Sequence, residues 1–335
     1  MAIRTFFTLL LLAVIAAPSG ADTLDDVRAR DSLRCGVNGN APGLSLKDAQ
    51  GRWTGLDADF CRAVAAAVLR DPDKVTFVSL DNTARLEALA KGRIDLLARN
   101  TTWTLSRDTR RGMSFVGTLY YDGQGLMVPV AKGLHSALEL DGARVCVARG
   151  TTSVGNLQRY FLRNRMKLEI VPAMDTRAAL RAYLKGRCDA LSSDASQLYG
   201  LRAGLPDPGA QMVLPERLSK EPLAPAVRKG DTRWFDIVRW TLFVLLDAEE
   251  LGIGSRNATQ ARRLARSPES RRLLGLATQT AHPRGLDSDW AFRVISRVGN
   301  YAEMFERNLT APLGIKRGLN ALWRDGGLQF APPMM

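Results

Sequence analysis

The sequence predicts an α/β protein of two similarly built lobes joined by a hinge, with a helical C-terminal extension. Three observations predict it. Strand-like and helix-like segments alternate from Leu33 to Leu191, one short segment occurs twice, and two extended stretches sit where a chain would pass between lobes.

The alternation runs in order. Leu33 to Val37 reads as a strand, Asp57 to Leu69 as an amphipathic helix, Val75 to Ser79 as a strand and Asn82 to Ala90 as a helix. Further on, Arg144 to Ala148 is a strand, Val154 to Asn164 a helix, Leu168 to Val171 a strand and Thr176 to Leu184 a helix. Strands separated by helices indicate a parallel sheet in each lobe. The repeat pairs Leu86-Glu-Ala-Leu-Ala-Lys-Gly-Arg-Ile-Asp-Leu-Leu97 with Leu180-Arg-Ala-Tyr-Leu-Lys-Gly-Arg-Cys-Asp-Ala-Leu191. Each is a helix stopped by a glycine, Gly92 or Gly186, and then a strand. Each strand leaves into polar residues, Asn100-Thr-Thr-Trp-Thr104 in one copy and Ser192-Ser-Asp-Ala-Ser196 in the other. In such sheets ligands sit beyond the carboxyl ends of the strands, so both exits are expected at a binding cleft.

Gly125-Leu-Met-Val-Pro-Val130 is expected to cross to lobe two, and Pro222-Leu-Ala-Pro-Ala-Val227 to return. The expected division is a signal peptide at 1–21, lobe one at 22–124, the hinge crossing at 125–130, lobe two at 131–221, the return crossing at 222–228, and the completion of lobe one with the extension at 229–335. Helices are expected at Trp234 to Glu249, Asn257 to Leu264, Pro268 to Leu274 and Ser288 to Phe305. The region after Leu251 is expected to serve lobe one and not the ligand.

The N-terminus indicates export. Arg4 precedes an apolar run from Phe6 to Ala17, and the small residues Ser19 and Ala21 suit a peptidase cut before Asp22. The apolar run is shorter than the roughly 20 residues that span a bilayer. An exported chain can oxidise its four cysteines, Cys35, Cys61, Cys146 and Cys188. Four cysteines allow three pairings. The favoured one keeps each bridge inside its own half, Cys35 with Cys61 and Cys146 with Cys188, because a bridge across the crossing would restrict hinge motion. With two histidines and no Cys-x-x-Cys, a metal site has little to build on, and neither metal nor cofactor is expected. The formal net charge of +13 comes from arginines spread along the chain, which indicates a solvated basic surface and not a nucleic-acid partner.

In combination the motifs resemble the periplasmic solute-binding proteins of ABC transporters, of the polar and general L-amino-acid uptake type. The carriers are Cys35-Gly-Val-Asn38, Trp53-Thr-Gly-Leu-Asp-Ala-Asp-Phe-Cys-Arg-Ala63, Asn100-Thr-Thr-Trp-Thr-Leu-Ser-Arg-Asp-Thr109, Tyr120-Tyr-Asp-Gly-Gln-Gly125, Gly186-Arg-Cys-Asp189, Glu221-Pro-Leu223, Trp234-Phe-Asp-Ile-Val-Arg-Trp240, Val298-Gly-Asn-Tyr301 and Gly318-Leu-Asn-Ala-Leu-Trp323. Each is weak alone; their order over the mature chain is specific. The resemblance implies the type II periplasmic-binding-protein fold, a monomer without catalysis that closes on an L-amino acid and delivers it to a permease in the inner membrane.

The resemblance also implies the ligand contacts. Asn100, Thr101, Thr102 and Thr104 are expected as donors to the α-carboxylate, with Arg107 as the guanidinium and Arg110 as the other choice, since simple counting puts the usual arginine position on Thr109. Asp194 is expected to hold the α-ammonium; otherwise it is an N-cap. Gly150, Thr151, Thr152 and Ser153 offer backbone N–H groups at a helix start, or cap that helix. Asn38 and Asn40 are expected as ligand contacts or turn residues, and Trp103 as a stacking surface or lobe core. An enzyme on the same fold, dehydratase-like or murein-active, is the alternative, as is a ligand sensor. His135 and His282, however, lie in turn-like stretches remote from either strand exit.

Overall fold

The computed structural model describes residues 22–277 and 282–334. The expected signal peptide lies outside the described residues. Among them, no helix is long and apolar enough to cross a membrane.

Two five-stranded sheets organise the chain. In the first, the strands run in the order Val75–Ser79, Leu33–Val37, Leu96–Leu97, Ala226–Arg228, Met113–Phe115. In the second the order is Leu168–Ala173, Ala143–Ala148, Ala190–Asp194, Gln124–Pro129, Gln211–Val213. The first three strands of each sheet are parallel, and the fourth is antiparallel to both of its neighbours. The two sheets therefore share one topology, as the repeat implied.

The repeated turn does the same job twice. Arg93 N–H donates to the Ala88 carbonyl and Gly92 N–H to Leu89, while Arg187 N–H donates to Ala182 and Gly186 N–H to Tyr183. Both turns are six-to-one and five-to-two helix stops, and Gly92 and Gly186 stand at φ +67° and +71°, where an added Cβ is unfavourable. The aspartate that follows then holds the middle one of the three parallel strands of its sheet. Asp95 accepts from Arg34 N–H at 2.8 Å and Asp189 from Arg144 N–H at 3.0 Å. Each sheet also carries one disulfide, Cys35–Cys61 and Cys146–Cys188, with Cα–Cα distances of 6.2 and 5.6 Å.

The first crossing falls earlier than expected, while the return one includes Pro222 and Leu223 of its expected span. Residues 125–129 run inside the second sheet, paired with both Ala190–Asp194 and Gln211–Val213. Ala226–Arg228 likewise runs inside the first sheet. A two-stranded antiparallel ribbon, Tyr120–Asp122 against Glu221–Leu223, lies between the sheets instead. The apolar run after Gly125 is buried on both faces, which suits a central strand better than an exposed connection.

Core packing follows these sheets. One large cluster joins the first sheet and the Leu56–Leu69 helix to the C-terminal region, through Trp234, Leu242, Trp290, Val294, Ile295, Tyr301 and Phe305. The helix expected over Ser288 to Phe305 is two helices, Trp290–Val298 and Tyr301–Phe305. Gly299, at φ +102°, stops the first, and Asn300 starts the second in a reciprocal cap with Glu303. The extension also supplies a missing cap. The Leu56–Leu69 helix begins at Gly55, which has no side chain to cap it, and Asn308 Oδ1 accepts from Gly55 N–H at 2.9 Å. Asn308 Nδ2 in turn donates to Asp59 at 2.6 Å. The region after Leu251 thus packs on lobe one, although residues 313–320 also face the Ala195–Ala203 helix of lobe two across a surface hollow.

Candidate functional site

The carboxyl ends of the two parallel sets of strands face each other. A polar cavity between them is lined by Asn38, Asn82, Arg85, Asn100 and Thr102 from lobe one, and by Ala148, Thr151, Thr152, Ser153, Thr176, Ser192, Ser193, Asp194 and Gln197 from lobe two. Every lining residue except Ala148 is polar, and none is aromatic.

The lobe-one wall is set by the exit from Leu96–Leu97. Asn100 takes φ +34°, a conformation Asn tolerates better than most side chains. Its N–H donates to the buried Asp57 carboxylate at 2.9 Å, and its Oδ1 accepts from Asn38 Nδ2 at 3.0 Å. Burial pushes Asp57 up to about 7, against the opposing pull of the Asn100 amide and Arg99. Arg107 lies on the short Leu105–Arg110 helix, half-buried, and Nη1 donates to the Thr102 carbonyl at 2.7 Å. Arg110 on the same helix is exposed. Neither candidate arginine lines the cavity, but Arg107 is the one bonded to the strand exit.

The lobe-two wall ends in Asp194, the last residue of its strand and the first residue before the Ala195–Ala203 helix. Its carboxylate makes no cap bond to that helix. Asp122 from the ribbon does so instead, accepting from Ser196 N–H at 3.2 Å and Oγ at 2.5 Å. The Asp194 carboxylate accepts from Asn100 Nδ2 across the cleft at 3.3 Å. Burial first, then the nearby charges of Asp122 and Glu221, push Asp194 up to about 8.

Other groups join the lobes. Asn82 Nδ2 donates to the Arg149 carbonyl at 3.1 Å. Glu221, buried in the ribbon, accepts from Thr102 Oγ1 at 2.5 Å in lobe one, and from Thr152 Oγ1 at 3.0 Å and Asn156 Nδ2 at 2.6 Å in lobe two. Gly200 of lobe two lies against Pro42 of lobe one, so close that an added Cβ would sit 2.9 Å from the proline Cβ.

Some expected residues do not line the cavity. Asn40 is exposed and pairs with Leu46 in a small three-stranded sheet. Trp103 stacks on Phe115 with ring centroids 5.5 Å apart and packs in the lobe-one core. Thr101 is fully buried, with Oγ1 donating to the Arg99 carbonyl at 3.1 Å. Thr104 caps the helix that carries Arg107. Gly150, at φ +70°, packs against Asn82 and Thr83 of the opposite lobe.

Sequence reasoning missed Arg85, Asn82, Thr176, Gln197 and Glu221. Asn82 and Thr176 follow the second strand of each lobe, so the strand-exit rule reached them without their being named. Arg85 had a signal of its own. In Ala84–Ala90 the buried positions are 85, 88 and 89, so an arginine occupies the inward face of an amphipathic helix.

A hinged pair of α/β lobes with a polar cleft is the architecture of a solute-binding protein. Residues 33–252 match the bacterial extracellular solute-binding proteins, family 3, and the chain belongs to that family. It is 48% identical to the putative amino-acid ABC transporter-binding protein YhdW of Escherichia coli K12, over 97% of this chain and 96% of that one. It is 48% identical, at the same coverage, to the general L-amino acid-binding periplasmic protein AapJ of Rhizobium johnstonii. It is 47% identical to the glutamate/glutamine/aspartate/asparagine-binding protein BztA of Rhodobacter capsulatus, over 98% of each. A solved ABC-transporter periplasmic binding protein from Brucella ovis, with glutathione bound, superposes with a TM-score of 0.92 at 47% identity. The match covers 94% of this chain and all of that one.

Proposed function

We propose that this protein is exported to the periplasm through its N-terminal signal peptide, binds an L-amino acid between its lobes, and presents it to an ABC permease in the inner membrane. The observation that carries the reading is the opposition of Asp194 to Asn100 and Thr102 across the cleft, with Arg107 bonded to the Thr102 carbonyl on the lobe-one side. An amino-acid zwitterion needs one anionic and one cationic anchor, because either charge is costly to bury alone. Here the anchors belong to different lobes. Arg107 holds the α-carboxylate, joined by the Thr102 hydroxyl once it turns from Glu221, and Asp194 holds the α-ammonium in place of the Asn100 amide. Both are engaged only when the lobes meet, so the ligand stabilises the closed form by its differential affinity for it.

The relatives named above support the ligand class and the transporter partner. The same relatives are named as binding proteins, which favours binding over the enzyme alternative. The test is native mass spectrometry of the protein purified from periplasm, followed by calorimetry of the ligand-stripped chain across the twenty amino acids. Recovery of an amino acid and saturable 1:1 binding are expected. No binding of any amino acid would remove the reading.

A further inference from the structure

We propose that Arg85 selects the ligand's side chain, and that the preferred ligand is an L-amino acid carrying a second carboxylate. The proposal rests on the amino-acid reading above and narrows it to acidic side chains over their amides.

Arg85 is only 3% exposed, yet lines the cavity. Among the described residues its guanidinium donates no hydrogen bond, and Nε is buried without a partner. The carboxylates in its field are otherwise engaged. Asp81 accepts from Thr83 N–H at 2.8 Å and Ala84 N–H at 2.6 Å, and Asp194 is the ammonium anchor. A second guanidinium stands near it. Arg99 is 4% exposed, with Nε donating to the Leu80 carbonyl at 2.7 Å and Nη1 buried without a partner. With Arg107 given to the α-carboxylate, the lobe-one wall keeps a buried cation that no neighbouring group pairs directly. Such a charge is costly unless an anion meets it.

The chemistry discriminates sharply. A guanidinium has five donors and no acceptor, in a planar fork that fits a carboxylate with two bonds. A side-chain amide would offer it one oxygen and turn an NH2 group toward further donors. An apolar side chain would meet neither partner nor apolar wall, because Ala148 is the sole apolar lining residue. A ligand carboxylate satisfies Arg85 and neutralises the wall at once.

The experiment is calorimetry of the ligand-stripped full-length mature chain with L-glutamate, L-aspartate, L-glutamine and L-leucine. Wild type and Arg85→Gln are compared, with circular dichroism as the check on folding. Wild type is expected to bind glutamate at least about tenfold tighter than glutamine, the scale of a hydrogen bond to a charged group. In Arg85→Gln that ratio should fall to about one. Wild type binding glutamine as tightly as glutamate would overturn the proposal even if the variant did not fold. So would a glutamate-to-glutamine ratio that survives the substitution. If binding depends on Arg107 and Asp194 while the ratio is one, only the role of Arg85 falls. If no amino acid binds, the amino-acid reading falls first.

Discussion

In lobe one the turn Lys91-Gly92-Arg93-Ile94-Asp95 leads to a strand exit lined by Arg85, with the charges of Arg99 and Arg107 beside it. In lobe two the turn Lys185-Gly186-Arg187-Cys188-Asp189 leads to an exit that ends in Asp194, with Asp122 and Glu221 of the ribbon beside it. The scaffolds match down to the aspartate that holds the middle parallel strand, while the charges at their exits are opposite. Even the matched aspartates differ in setting. The Asp95 side chain is 1% exposed between Arg30 and Arg34, whereas that of Asp189 is 28% exposed and is held well below the usual carboxylate range by Lys132 and Arg144. One repeated frame thus yields two exits of opposite charge, the arrangement that the proposed binding of a zwitterion needs, since either charge is costly to bury alone.

The comparison can be broken most forcefully at its acidic pole. Asp194→Asn should weaken every amino acid by about two to three and a half orders of magnitude, or 3–5 kcal/mol for removing one partner of a buried pair. Calorimetry checks it, and near-normal affinity would remove Asp194 from the site. Next come the two disulfides, which should stabilise the two lobes almost equally. Loops of 26 and 42 residues correspond to about 3.5 and about 4 kcal/mol of lost unfolded-state entropy. Urea unfolding of Cys35→Ser/Cys61→Ser and Cys146→Ser/Cys188→Ser, compared with wild type, measures each; a bridge contributing under 1 kcal/mol would make the lobes unlike in their cross-links.

At the basic pole, Arg107→Ala should cost all amino acids a similar factor of roughly 10- to 150-fold, the worth of a charged hydrogen bond. A larger loss from Arg110→Ala would reassign the carboxylate anchor. Closure itself is probed by Gly200→Val, whose added bulk meets Pro42. Overpacking of about 1–3 kcal/mol predicts affinity lower by roughly 5- to 150-fold with secondary structure intact, and small-angle scattering in saturating ligand should show a more open shape.

The last effect is in pH. Asp194 is pushed up to about 8, so below that pH it carries a proton that an arriving ammonium must displace. Affinity should therefore rise from pH 6 to 8, by up to about tenfold per unit for one released proton, and flatten above. For the unliganded fold the sign is reversed. A raised carboxyl contributes its stability below the unfolded value near 4 and loses it as pH rises through the folded one. Calorimetry in two buffers of different ionisation enthalpy counts the proton; a count of zero at pH 7 would mean that Asp194 is already ionised.

Local chemistry carried much of the fold into the sequence. The Lys-Gly-Arg turns were legible because only a left-handed residue ends a helix that way, and the strands because their apolar runs are bounded by such stops. Asn100, Thr102 and Asp194 were legible as polar exits from buried strands. Three things were not. The run after Gly125 has the composition of a crossing or of a central strand, and only its pairing partners distinguish them. Asp194 and Thr104 are both polar residues before a helix, but Thr104 caps its helix while Asp122 relieves Asp194 of that task from a distant strand. Arg85 stands out locally as an arginine on the inward face of its helix, but only the fold decides that this face is a cavity wall and not apolar core. Period, propensity and caps act over a few residues, so the sequence alone determines them. Which charge is buried, and against what, depends on groups a hundred residues apart, and only the tertiary structure brings them together.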